Sequence, residues 1–231
     1  MPTEMSNKVI LITEKPRISS PIKIALNKQS AEIAADYPAL TSTSVMRSGI
    51  IKSGKTAFIR TELLRFIQKN GFPRAIIMDS QIDLGREAGP DPGGLKIFKT
   101  FLIAYIILSK GSEFANLRGN FILLCKGNGF EKELNIAENP HAVMNLLSSQ
   151  NPEINFFIDE LKESSERFDA LFSISVVDTD LSSDLITEEV EKFLLKTASK
   201  AVTGSSVAGG AAPPDTASHA GDKKEAPAEK N

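Results

Sequence analysis

A chain of 231 residues, 41% hydrophobic and 24% charged, has an ordinary globular composition and enough length for one substantial core. Its 27 Lys and Arg stand against 29 Asp and Glu, so no basic excess exists to neutralise phosphates, which argues against a dedicated nucleic-acid binder. One cysteine, Cys125, and two histidines, His141 and His219, rule out an internal disulfide framework and the usual zinc patterns.

These counts fit a reducing, cytoplasmic setting. The polar start, Met1 to Lys8, lacks the apolar stretch of a signal peptide. The longest apolar run, Phe101 to Leu108, falls well short of the roughly 20 residues of a membrane span.

In chain order, Lys8-Val-Ile-Leu-Ile-Thr13 reads as a strand buried on both faces. A helix is expected to follow, with Ser20 as its cap, Pro21 at its first position, and Ile22, Ala25 and Leu26 on one face. A short strand is expected around Glu32 to Ala34. Helical spacing over Ala57 to Lys69 ends at Asn70-Gly71 with Pro73 beyond, and leads into a second buried strand, Arg74 to Asp79.

Leu95 to Lys110 reads as the next helix, after the turn-rich Gly89-Pro-Asp-Pro-Gly-Gly94. It is apolar nearly all round, which implies deep burial or a surplus face that meets a second copy or another protein. Asn120 to Cys125 is the third clear strand. Two helices separated at Asn151-Pro152 are expected between Asn135 and Phe168, then a strand over Leu171 to Val177 and a closing helix over Leu185 to Thr197.

Short apolar strands alternating with helices define a three-layer α/β/α sandwich with a mostly parallel central sheet. This domain is expected over residues 1–200. From 201 to 231 the Ala-, Gly-, Pro-, Lys- and Glu-rich sequence reads as a disordered tail, because it cannot bury enough apolar surface to offset its ordering entropy.

Ligands of open parallel sheets bind beyond the carboxyl ends of the strands. Those positions hold Thr13 and Glu14, Asp79 and Ser80, Cys125 and Lys126, and Asp178 and Thr179. Carboxylates at three of the four ends suit a hard cation such as Mg²⁺, or simply solvate the rim of the sheet. Cys125 reads as a small buried hydrophobe, and His141 as a surface or capping residue.

Lys8-Val-Ile-Leu-Ile-Thr-Glu14, Ala75-Ile-Ile-Met-Asp-Ser-Gln-Ile-Asp-Leu-Gly85 and Leu171 to Phe193 together resemble the receiver domain of bacterial response regulators, over roughly residues 8 to 197. The resemblance implies receiver, flavodoxin-like topology, Asp79 as phosphoacceptor, and Glu14 with Asp79 as Mg²⁺ ligands. It also implies a degenerate member. Lys15 or Pro16 stands for the second acid, Cys125 or Lys126 for the switch hydroxyl, and no lysine falls at Val177 to Thr179 to steady phosphoryl charge. Additions around Leu40 to Thr56 and Glu87 to Gly94 lengthen the connections, and loops of such length are often functional. The expected role is that of a non-catalytic signalling or scaffolding pseudo-receiver, acting through protein partners, a homodimer among them.

The alternative is a small P-loop nucleotide-binding protein. Gly49-Ile-Ile-Lys-Ser-Gly54-Lys55-Thr56 has Walker A spacing, with Lys55 on the β/γ-phosphates, Thr56 on Mg²⁺ and Asp79 as the Walker B acid. Ile50 and Ile51 are stiff for such a loop, and Thr41 to Met46 makes a poor preceding strand.

Overall fold

A computed structural model describes residues 5–13, 15–34, 43–82, 93–114, 116–127 and 135–204. Five strands form one sheet: β1 (Lys8–Ile12), β2 (Glu32–Ile33), β3 (Ala75–Asp79), β4 (Gly119–Cys125) and β5 (Phe172–Asp178). Every pairing is parallel, and the order is β2-β1-β3-β4-β5. This is the flavodoxin-like winding of the three-layer sandwich.

The continuous apolar runs follow from burial on both faces. Ile10, Ile12, Ile76, Met78, Phe121 and Leu123 enter one core, and Val9, Leu11, Ala75, Ile77, Ile122 and Leu124 enter the other. The second core is covered by α1 (Pro16–Lys28) and α7 (Ser183–Gly204). The first lies under α2 (Thr43–Ser53), α3 (Lys55–Asn70), α4 (Gly93–Ser109), α5 (Pro152–Glu163) and α6 (Ser165–Leu171).

α1 begins earlier than Ser20 and Pro21 suggest. Pro16 takes the first turn after an extended Lys15, and Pro21 sits inside the helix, on its buried face with Ile18, Ile22, Ala25 and Leu26. The residue before a proline is driven to extended backbone, so Lys15-Pro16 meets the start rule one turn and more ahead of Ser20-Pro21. Ser20 Oγ instead donates to Pro16 O at 3.2 Å. The carbonyl of Pro21 is also the acceptor of Thr187 Oγ1 at 3.2 Å, which ties α1 to α7.

α2 was not legible as a helix. It buries Met46 and Ile50 at helical spacing. The stretch between Asn135 and Phe168 divides further than expected: a 3-10 helix over Pro140–Leu146 precedes α5 and α6. Asn151 caps α5 by accepting from Glu153 N, and Ser164 caps α6 by accepting from Arg167 N. His141 is half-buried rather than a surface or capping residue. It bonds Leu161 O through Nε2 and sets its ring edge-on to Phe168 at 5.2 Å. α7 runs to Gly204, so residues 201–204, assigned above to the tail, continue the helix; 205–231 lie outside the described residues.

The apolar girth of α4 is explained by burial. Thirteen of its residues are buried, Phe98, Phe101 and Tyr105 among them. The Tyr105 hydroxyl is buried with no hydrogen-bond partner among the described residues, and burial pushes its pKa up. An unpaired buried hydroxyl forfeits its hydration without return. Tyr105→Phe is therefore expected to hold or raise stability, by up to about 1 kcal/mol, as a higher urea midpoint; a loss would reveal a bonded hydroxyl.

Candidate functional site

The winding direction reverses between β1 and β3, and this is where a doubly wound sheet opens a crevice. β1 and β3 pair from Val9↔Ala75 to Ile12↔Met78, so the residues just beyond Ile12 and those at Asp79 are neighbours. Thr13 Oγ1 accepts from Lys15 N at 3.2 Å and shapes the turn after β1.

That turn carries the Lys15 side chain to Asp79. Nζ lies 2.9 Å from Asp79 Oδ2, with the lysine 44% and the aspartate 3% exposed. The other carboxylate oxygen, Oδ1, accepts from Gln81 N at 2.9 Å. Both oxygens of the buried carboxylate are thus engaged, one by an internal cation and one by a backbone N–H, the pattern that makes burial of a charge tolerable.

The wall beside Asp79 is tight. A Cβ on Gly94 would lie 2.4 Å from Asp79 O and from Ser80 O, so only glycine lets the start of α4 rest on the end of β3. Ser80 is buried, and its N–H extends the sheet to Leu124 O at 2.9 Å.

The other strand-end residues do not join this pair. Cys125 is buried and Lys126 exposed. Asp178 Oδ1 accepts from Gly127 N at 3.2 Å and from Asp180 N at 2.8 Å, while Thr179 N donates to Cys125 O at 2.7 Å. Asp178 therefore closes the loops after β4 and β5. Glu14 lies outside the described residues, and among the described residues no three His, Cys, Asp or Glu side chains are grouped to hold a metal.

The Walker-like segment has the wrong local structure for a phosphate loop. Gly49 to Ser53 are helical residues of α2, Gly54 is the hinge, and Lys55 and Thr56 open α3. A P-loop links a strand to a helix, with its backbone N–H groups turned to the phosphates, whereas here helix follows helix. Each glycine has a local structural reason, packing at Gly49 and backbone conformation at Gly54. A Cβ on Gly49 would meet the Phe58 ring at 2.1 Å, and Gly54 has φ +75°, a left-handed value that suits glycine. The Gly49, Gly54, Lys55 and Thr56 pattern is a helix–turn–helix joint in this fold.

What the sequence reading missed is Lys15 as the partner of Asp79. The available signal was a basic residue three positions after β1, next to an acid ending β3, once the strand order sets those two strands side by side.

Family models, curated proteins and solved structures contain no match to this chain. No described helix is long and apolar enough to cross a membrane.

Proposed function

We propose that the chain is a non-catalytic signalling or scaffolding module, a pseudo-receiver in which an internal ammonium holds the acidic switch and which acts through protein contacts in the cytoplasm. The observation that supports this reading is the Lys15–Asp79 pair at the sheet's switch point. A receiver needs its aspartate free to attack a phosphodonor and a divalent cation to gather the phosphoryl charge. Here a cation already sits on the carboxylate, tethered to the chain.

A tethered ammonium carries a single charge and no coordination sites, so it balances Asp79 without gathering carboxylate and phosphoryl oxygens around one centre as Mg²⁺ does. The carboxylate is structurally satisfied by Lys15 and Gln81 N, and signalling by phosphotransfer is removed. What remains is a rigid α/β surface, with Phe156 on α5 the most exposed large apolar side chain among the described residues, at 62%.

The test is incubation with acetyl phosphate and Mg²⁺, and separately with beryllofluoride and Mg²⁺. The expected outcome is no phosphoryl mass shift and no change in the unfolding midpoint, since a ligand that prefers the native state raises it. A mass increase that disappears in Asp79→Asn would overturn the reading and restore an active phosphoreceiver.

A further inference from the structure

The two edges of the sheet are unequal. β2 pairs with β1 over two residues only and offers almost no open ladder. β5 pairs with β4 over seven consecutive residues, and no described strand pairs with its other side. Natural edges are blunted by brevity, proline, an inward charge or a bulge. Phe172-Ser-Ile-Ser-Val-Val177 has none of these.

Backbone direction follows from one hydrogen bond. Thr179 N points to β4 through Cys125 O, so alternation turns residues 177, 175 and 173 the same way and leaves the N–H and C=O groups of Ile174 and Val176 facing outward, while Phe172 N–H is taken up by Phe168 O at the end of α6. A groove of about 540 Å³ runs along this open edge. Its floor is residues 172–176; one wall is Glu189, Lys192 and Lys196 of α7, and the other includes Phe168 and Asp169 of α6.

We propose that this edge is a homodimer interface, with β5 of one copy pairing antiparallel to β5 of a second about a two-fold axis at Ser175. The proposal rests on the interaction-module reading and names a second copy as one of its protein contacts. With the axis at Ser175, Ile174 of each copy lies opposite Val176 of the other. Both residues turn their backbone groups outward, so they exchange N–H···O bonds as a hydrogen-bonded antiparallel pair requires. Isoleucine opposite valine is a favoured cross-strand pair. On the opposite face Ser175 meets Ser175, small enough for the α7 helices of two copies to approach.

Charge complementarity selects the second copy. The α7 stripe that walls the groove is acidic at its start, Glu189, and basic at its end, Lys192 and Lys196. A two-fold at β5 runs the two α7 helices antiparallel, which brings Glu189 of each beside the lysines of the other. Lys192 is already oriented by Glu188 and Glu189 of its own helix, at 3.0 Å each, and its side chain is 60% exposed. Glu138 and Asp169, at the rim of the other wall, are exposed, where repulsion between solvated carboxylates is small.

The test is sedimentation velocity on the full chain and three variants. Wild type is expected to dimerise. Ser175→Lys, which sets two ammonium groups together on the axis, is expected to be monomeric with an unchanged far-UV spectrum. Glu189→Lys and Lys192→Glu lie on the surface and spare the fold. Each alone is expected to weaken the dimer about tenfold or more, and an equimolar mixture of the two to restore it, because the mixed pair again sets acid against base. A monomeric wild type overturns the proposal, as does a dimer that neither charge reversal weakens or that mixing fails to restore. Either failure leaves the phosphodonor test of Asp79 unaffected, so the two readings fail separately.

Discussion

Phe121→Ala is expected to cost about 4 kcal/mol of stability, the largest effect of any single substitution proposed for this chain. Phe121 is fully buried in the middle of β4. Its ring lies 5.5 Å from those of Phe98 and Tyr105, 6.3 Å from Phe101 and 6.2 Å from Phe172. Three of those partners are on α4 and the fourth is on β5, so one side chain links the covering helix to two adjacent strands. Removing it loses the burial of a large ring, opens a cavity that a rigid parallel sheet cannot collapse, and abolishes edge-to-face contacts worth about 0.5–1.5 kcal/mol each. Urea unfolding reads the loss as a lower midpoint at unchanged slope. Phe121→Leu should recover more than half of it. A loss below about 2 kcal/mol would mean that the rings of α4 close over the gap.

Lys15→Ala is expected to cost about 2 kcal/mol and Asp79→Asn clearly less. The asymmetry comes from exposure. Losing the lysine strands a carboxylate that is only 3% exposed, whereas losing the carboxylate charge leaves a lysine already 44% exposed to water. The figure is below that for breaking a fully buried pair because water reaches the ammonium. Millimolar Mg²⁺ is expected to return part of the lost stability to Lys15→Ala and none to the wild type, since a divalent cation can then take the vacated place beside oxygen ligands. Equal costs for the two substitutions, with no response to Mg²⁺, would show that the pair is merely a rim contact.

β1, β3 and β4 were legible in the sequence because each is a continuous apolar run, and both faces of these parallel strands are buried. The α4 helix was legible for a related reason: an all-round apolar pattern of that length has nowhere to go but under other elements. α2 was not, because Met46 and Ile50 give only one helical step of periodicity and the Walker-like glycines Gly49 and Gly54 suggested a loop. The start of α1 was misread because two prolines satisfied the same rule, and only the extended turn at Lys15 decides between them.

At the site, Asp79 could be read directly as an acid ending an apolar strand. Its partner could not, because the meeting of Lys15 with Asp79 depends on strand order, which places residues 64 positions apart side by side. The same holds for the groove along β5. Ser173 and Ser175 interrupt the apolar run of β5, but only the strand order makes Phe172 to Val177 an edge among the described strands.

That last placement also bears on how the molecule is made. β1 leaves the ribosome early, yet the core it shares with α1 is roofed by Ile186, Val190, Phe193 and Leu194 of α7, the last described helix to emerge. Until those residues are out of the exit tunnel, α1 alone covers that side of the nascent sheet. The core between α1 and α7 therefore closes late, whereas the core on the other face of the sheet contains no residue of α7. A stalled or truncated product ending before α7 would carry that half-covered side as a target for chaperones and proteases.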